Sequence, residues 1–453
     1  MSELLSKSFF RISQLGWTLI AILLLNSFWG IACQMKKESP LPAAPQVAEK
    51  VKLGVEVFLE KHLDLVKGKK IGLITNPSGV DSRLQSTIDL FRNNPDIQLV
   101  ALYAPEHGVR GNAQAGEYVP FYTDEKFKIP VFSLYGQSMK PQPGMLKNID
   151  EYMRSFDTTH AGKKLDSSMT KDVDILIYDI QDVGTRVYTY ESTMAYAMQA
   201  CAESGIDFIV LDRPNPINGA DMEGPILEYP EYSSPVGIYP VPLRFGLTIG
   251  ELAKLYNDKF LEKKASLTVI PMEGWKREMW YDQTGLPWVI PSPNMPTLDT
   301  ATVYPGQVFF EGTNVSEGRG TTRPFEVFGA PWIDGYELAQ RLNRLGLPGV
   351  TFREQWFNTT FSKFKGEPCG GAQIHVTDRN RYRSLETTLE IIKTIRDMYP
   401  DTFEFHEKYF DKIMGTAQVR EAMLKGMAVK DIVAGFDSGL KIFAEVRKPY
   451  LLY

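Results

Sequence analysis

The sequence predicts an α/β protein, a Rossmann-like domain with a mostly parallel sheet followed by a second, smaller α/β or α+β domain. Short apolar runs recur from Lys70 to Pro271, amphipathic helical stretches separate several of them, and the texture changes near Asn294. The 453 residues hold 50 Lys+Arg against 55 Asp+Glu, a formal charge of -5, with 43% hydrophobic and 12% aromatic residues. Such a balance excludes a largely disordered, collagen-like or coiled-coil chain. It also leaves no basic excess for coating nucleic acid, so no nucleic-acid partner is expected.

In chain order, residues 1–33 stand apart from the fold. Lys7 and Arg11 precede an apolar run from Trp17 to Trp29, the charged and apolar regions of an export signal, and the run is short for a membrane span. It ends in Gly30-Ile31-Ala32-Cys33, which resembles a bacterial lipobox with Gly30 where Leu is usual. The expectation is an exported, periplasmic or cell-surface lipoprotein held to the membrane by a lipid anchor on Cys33. Residues 34–50, with three prolines and no apolar period, are the expected tether.

The larger domain is expected over 51–293. Lys70–Thr75, Ile97–Tyr103, Pro130–Leu134, Val173–Asp179, Phe208–Asp212 and Leu267–Pro271 each have the composition of a strand buried on both faces. Ser82–Arg92, Glu191–Glu203 and Thr248–Phe260 are helical, the last opened by Thr248 with Glu251 three residues on, a capping box. The smaller domain, 294–453, begins with a Gly- and Thr-rich stretch, Val303–Thr322. Helical Tyr336–Leu345, a strand Gln373–Thr377 and a helix Leu385–Met398 follow. Cys201 and Cys369 are the cysteines left after the signal; Cys201 sits in the apolar helical stretch Met194–Ala202, so a free buried thiol is expected, not a disulfide framework. The five histidines show no paired spacing and no CxxC occurs, so neither a metal nor a cofactor is expected.

Polar motifs follow successive strands: Asn76-Pro77-Ser78-Gly79, Pro105-Glu106-His107-Gly108, Tyr135-Gly136, Gln181-Asp182-Val183-Gly184-Thr185-Arg186 and Arg213-Pro214-Asn215-Pro216. In a parallel sheet these loops gather at the carboxyl edge, where such folds bind ligands. Turn-making and helix capping alone explain many of these residues. Neither GxGxxG nor GxxxxGK[ST] is present, so the sheet is a scaffold and not a nucleotide site. Glu106 is the first candidate catalyst: a carboxyl at the mouth of an apolar sheet loses hydration, which favours the acid form that a proton donor to a glycosidic oxygen needs. Pairing with Arg110 or capping a helix are its structural alternatives, and His107 serves equally as a tuning, substrate-touching or structural imidazole.

These motifs, with Asp179-Ile180-Gln181-Asp182, Arg186 and Tyr188 to Tyr190, Asp212, Glu311-Gly312-Thr313-Asn314 and Gly318-Arg319-Gly320-Thr321, together resemble the exo-β-N-acetylmuramidase (NamZ) family, formerly DUF1343. The similarity runs from about residue 52 to Tyr453. It implies hydrolysis of a terminal β-linked N-acetylmuramic acid from the non-reducing end of peptidoglycan fragments, in a cleft between the two domains, with Glu106 matching the family's proposed catalytic glutamate. Muramyl saccharides are then the expected partners, and Asn76, His107, Arg110, Asp182, Arg186, Tyr188, Asn215, Asn314 and Arg319 the candidate substrate-binding residues.

A second carboxyl is usual in glycosidases. Glu311 and Glu317 are both candidates, Glu317 slightly preferred; Asp179 and Asp182 are rivals better suited to orienting Arg186 or Tyr188. Attack by the substrate's own acetamido group would need no enzyme nucleophile. The lactyl carboxylate calls for local arginine, supplied by some of Arg110, Arg186, Arg213, Arg319 and Arg323. Tyr188, Tyr190, Trp275, Trp288 and Trp332 are candidates for stacking on sugar faces. Two other classes fit the same sequence: a lipid-anchored sugar-binding protein without turnover, and a metal-dependent hydrolase using Glu106, Asp179, Asp182 and Asp212.

Overall fold

The computed structural model describes residues 50–136, 139–149, 152 and 172–453. The expected export signal, the lipobox and the tether up to residue 49 lie outside the described residues. After helix α1 (Gly54–Lys61), strands β1 (Lys70–Thr75), β2 (Gln98–Ala104), β3 (Tyr122–Thr123), β4 (Pro130–Ser133), β5 (Ile175–Asp179), β6 (Asp207–Leu211) and β9 (Leu267–Ile270) form one seven-stranded sheet in the order β3-β4-β2-β1-β5-β6-β9. All neighbours are parallel except the edge pair β3 and β4. Side chains alternate between two buried faces: Leu176, Tyr178, Phe208 and Val210 enter one apolar cluster, while Ile175, Ile177, Ile209 and Leu211 enter the other. This is the physical content of continuous apolar runs. The last strand departs from that expectation, since β9 is an edge strand with Thr268 exposed.

The chain builds outward from β1 in one direction through β2 and β4, then in the other through β5, β6 and β9. That reversal leaves a crevice at the carboxyl ends of β1 and β5, where crossover helices diverge. Helices α2 (Thr87–Asn93), α3 (Pro143–Leu146), α4 (Tyr190–Ser204) and α5 (Ile249–Lys259) serve the crossovers. The expected helix from Ser82 starts later because Asp81 holds the Arg83 and Gln85 amides in a turn and Ser86 caps at Ile88. The α5 capping box forms as expected: Thr248 Oγ1 accepts from the Glu251 amide at 3.2 Å, and Glu251 Oε2 from the Thr248 amide at 3.0 Å. A short antiparallel pair, β7 (Glu223–Ile226) and β8 (Pro242–Arg244), lies apart from the large sheet.

The first part of the Gly- and Thr-rich stretch is helical: α6 (Leu298–Gln307) runs into a 3₁₀ turn, Val308–Gly312. Strands β10 (Val327–Ala330), β11 (Val350–Asn358) and β12 (Pro368–Val376) form an antiparallel sheet in the order β10-β12-β11, accompanied by α7 (Gly335–Arg344) and α8 (Ser384–Met398). This region is therefore α+β. Four short helices close the chain, α9 (Glu407–Met414), α10 (Gln418–Leu424), α11 (Val429–Ala434) and α12 (Asp437–Arg447). One continuous apolar cluster includes Tyr103 and Met194 near the large sheet and Phe310, Phe328 and Leu389 near the small one. Cys201 and Cys369 are free and buried.

Three buried carboxyls make stability depend on pH. Burial pushes Glu191 up to about 8 and Asp182 and Asp212 up to about 7. Below the ordinary carboxyl pKa both folded and unfolded chains hold these protons. As pH rises further the unfolded chain releases them first, so stability falls until the folded pKa is passed. Glu191 accepts from the Tyr256 hydroxyl at 2.7 Å, and a glutamine reproduces the shape of its protonated form. Thermal unfolding of Glu191→Gln should therefore match the parent near pH 4 and exceed it by several degrees at pH 8.5; equal melting at both pH values would contradict the assignment.

Candidate active site

A cavity of about 280 Å³ opens where the loops after β2 and β5 meet the segment from Ser292 to Phe325 and helix α9. Its size suits one sugar unit, not a polymer groove. Glu106, on the loop after β2, lines it and is 7% exposed. Its Oε1 accepts from the Gly116 amide at 3.1 Å and its Oε2 from the Thr189 hydroxyl at 2.7 Å. Tyr135 faces the same carboxyl, and burial followed by the Glu106 charge pushes its phenol pKa upward.

The backbone around Glu106 is bent to put it there. His107 adopts φ 73°, which a side chain bearing Cβ rarely takes, and Gly108 and Gly111 follow at φ 80° and 67°. A Cβ on Gly111 would lie 2.6 Å from Cγ of Pro77, so the loop can rest on the turn after β1 only with glycine there. His107 also lines the cavity. Its Nδ1 bonds the Ala113 carbonyl at 2.8 Å, and burial lowers its pKa, so the neutral ring donates from Nδ1.

Across the cavity, Arg319 donates from Nη2 and Nε to Glu311 Oε1 at 2.7 and 3.1 Å, and Tyr409 donates to Glu311 Oε2 at 3.1 Å. Burial works against the Arg319 charge, but Glu311 and Glu317 more than offset it, raising its pKa. Glu317 is absent from the lining. It is 2% exposed, takes Lys363 Nζ at 3.0 Å and stands 3.6 Å from Arg319 Nε. The slight preference for Glu317 over Glu311 is thereby reversed: a turn puts one glutamate at the cavity and the other behind the arginine.

Of the candidate binding residues, His107, Tyr188 and Arg319 line the cavity. The other six do not line it: five hold backbone groups and Arg110 holds a carboxylate. Asn76 gives Nδ2 to the Pro291 carbonyl at 3.0 Å and takes the Ser78 amide and hydroxyl on Oδ1. Arg110 pairs with Asp124 at 2.6 Å beside a separate open groove. Asp182 caps the Gly184 amide at 2.7 Å. Asn215 ties the Leu247 carbonyl and the Ile217 amide, and Asn314 the Thr402 carbonyl and the Glu404 amide.

Arg186 is fully buried, donating to the carbonyls of Pro225, Val241, Ile413 and Met414 at 2.7 to 3.1 Å. Burial lowers its pKa to about 10, so it stays cationic at neutral pH. Two of those carbonyls end α9, where a cation opposes the helix dipole. Gly415 follows at φ 81°, and a Cβ there would sit 2.8 Å from Arg186 Nη2.

The arginine cluster is not assembled at the cavity either. Arg213 pairs with Asp179 and Arg323 with Glu326, leaving Arg319. Trp275, Trp288 and Trp332 pack on Tyr453, Tyr281 and Tyr399 and do not line the cavity, while Tyr188 and Tyr190 do. Asp212 accepts from Thr248, Gly250 and Tyr453. With Asp179 and Asp212 so engaged, the acidic residues at the strand ends do not converge on an ion. Among the described residues no group of three or more His, Cys, Asp or Glu side chains could hold one.

Comparison with known proteins decides the family. The N-terminal model of exo-β-N-acetylmuramidase NamZ matches residues 71–157 and 155–299, and the C-terminal model matches 302–453. The chain belongs to the exo-β-N-acetylmuramidase NamZ family. It is 52% identical over 405 residues to the peptidoglycan β-N-acetylmuramidase NamZ of Bacillus subtilis (strain 168), covering 89% of this chain and 92% of that one. Two crystal structures of DUF1343 family proteins from Bacteroides fragilis share the fold, with TM-scores of 0.78 and 0.69 at 38% and 30% identity. Each covers 89% of this chain and 99% of its own. Sequence reasoning missed Thr189, Ser292, Asn294, Tyr304, Phe325 and Tyr409 at the NamZ cavity. The prolines flanking Ser292 and Asn294 are a signal of a fixed loop; Tyr409 has none.

Proposed function

We propose that this NamZ-family chain is an exo-acting glycosidase that releases terminal β-linked N-acetylmuramic acid from the non-reducing end of peptidoglycan fragments. The observation that carries the reading is the pair of carboxyls on a monosaccharide-sized cavity, Glu106 held by a backbone amide and a hydroxyl, Glu311 by Arg319 and Tyr409. Glu106 donates its proton to the glycosidic oxygen as the bond to the anomeric carbon lengthens. Glu311 stabilises the positive charge that develops on the sugar ring and orients the group that attacks it. Aromatic rings of Tyr304, Phe325 and Tyr409 give the sugar apolar contact. Arg319, beside them, is the cation for the lactyl carboxylate. The lipobox-like sequence Gly30–Cys33 supports a lipid-anchored location on the exported side of a membrane, close to peptidoglycan.

The soluble portion from residue 50 should convert MurNAc–GlcNAc disaccharide to the two free sugars and leave GlcNAc–MurNAc intact. Binding without turnover would favour the sugar-binding alternative instead. In the same assay Glu311→Gln should lower kcat by about 100-fold. Glu317→Gln should keep kcat within about threefold while lowering thermal stability, because it leaves the Lys363 charge less well paired. The reverse order would exchange their roles.

A further inference from the structure

Two polar atoms on one wall of the cavity stand out: Nδ2 of Asn294 is buried without any hydrogen-bonding partner, and the buried Tyr188 hydroxyl has only the Ser292 and Tyr190 hydroxyls near it; their residues are 6% and 7% exposed. An orphaned buried donor is costly, so such atoms mark where a ligand supplies what the protein does not.

The loop bearing Asn294 is held firmly at both ends. The Pro291 carbonyl takes hydrogen bonds from Asn76 Nδ2 at 3.0 Å and from the Tyr190 hydroxyl at 2.7 Å. The Met295 amide closes onto the Ser292 carbonyl at 2.9 Å, and Trp288 Nε1 donates to the Met295 carbonyl at 3.3 Å. The orphaned amide is therefore presented by a preorganised turn and not by a loose loop.

We infer that this wall reads the 2-acetamido group of the sugar, with Asn294 Nδ2 donating to its carbonyl, the Tyr188 hydroxyl taking its N–H, and Met295 meeting its methyl. A secondary amide offers one acceptor, one donor and one small apolar end, and these three residues, all lining the cavity, complement them in turn. A carboxylate fits worse here, since the wall is uncharged and the cavity's guanidinium, Arg319, belongs to the 304–325 segment. A 2-hydroxyl has no carbonyl to reach for and leaves Asn294 unpaired, the situation in which buried polar groups discriminate most strongly. Asn76 is then a positioning residue, acting through Pro291. The inference rests on the glycosidase reading and adds the group that selects the substrate.

The test is competition against hydrolysis of an aryl β-N-acetylmuramide by two sugars, N-acetylmuramic acid and its 2-hydroxy analogue 3-O-lactylglucose. The parent protein should bind the acetamido sugar more tightly by about 10- to 100-fold. Asn294→Ala and Asn294→Asp should erase most of that ratio by weakening the acetamido sugar alone. Thermal unfolding of Asn294→Ala should be no lower than the parent's, because no protein hydrogen bond is lost and an unpaired donor is removed; Asn294→Asp, which puts a carboxylate at a buried position, is read by the ratio alone. Tyr188→Phe should reduce the ratio by a smaller factor. Equal inhibition of the parent by the two sugars, or an undiminished ratio in both Asn294 variants, would overturn the inference. Failure of the parent to cleave the muramide at all would instead refute the glycosidase reading.

Discussion

Glu106→Gln should lower kcat on a MurNAc–GlcNAc disaccharide by about 10²- to 10⁴-fold while leaving KM and thermal stability nearly unchanged. The glutamine carbonyl can still accept from the Gly116 amide, and the Thr189 hydroxyl can turn to accept from the new NH₂, so the loop keeps its anchors. What disappears is the proton. An acidic phenol leaves without protonation more readily than an alcohol, so the loss should be much smaller on an aryl muramide than on the disaccharide. Equal losses on the two substrates would assign Glu106 a role other than acid, and near-normal turnover on the disaccharide would remove it from the chemistry.

The largest effect on stability is expected at Arg186. Its guanidinium joins four carbonyls from three separate parts of the chain, Pro225 in β7, Val241 before β8, and the end of α9. Methionine fills much of the same volume but takes the guanidinium from all four carbonyls, leaving Val241 only the Leu227 amide at 3.3 Å. The cost should be about 3–5 kcal/mol, lowering Tm by roughly 4–6 °C. Because α9 carries Tyr409, whose hydroxyl reaches Glu311, activity should fall as well, through kcat more than KM. Arg186→Lys should rescue little, since one ammonium cannot span the fork of a guanidinium. An unchanged Tm in Arg186→Met would contradict the clamp, and a selective rise in KM for muramyl substrates would restore Arg186 to a substrate contact.

Arg186 also shows where sequence ceases to distinguish roles. The alternation of apolar runs and helical stretches located six of the seven strands of the large sheet to within about two residues, because burial on both faces leaves a dense local signal; the two-residue edge strand β3 has none. The loops at the carboxyl edge were legible for the same reason, and with them Glu106. Which polar side chain on those loops meets a ligand and which holds a carbonyl is decided by packing between segments far apart in sequence. Asn76 and Asn294 both lie in proline-containing turns, yet one anchors the loop that presents the other. Glu311 and Glu317 are separated by a single turn, and its direction decides that only Glu311 lines the cavity. The four helices after α8 are too short for periodicity to define them, so Tyr409 gave no sign of its place.

The most direct measurement is a crystal structure of Glu106→Gln with uncleaved MurNAc–GlcNAc. The muramyl ring should fill the cavity, with the residue 106 carboxamide within about 3 Å of the glycosidic oxygen. A disaccharide bound elsewhere, or one whose glycosidic oxygen lies beyond reach of residue 106, would contradict the assignment of the proton donor.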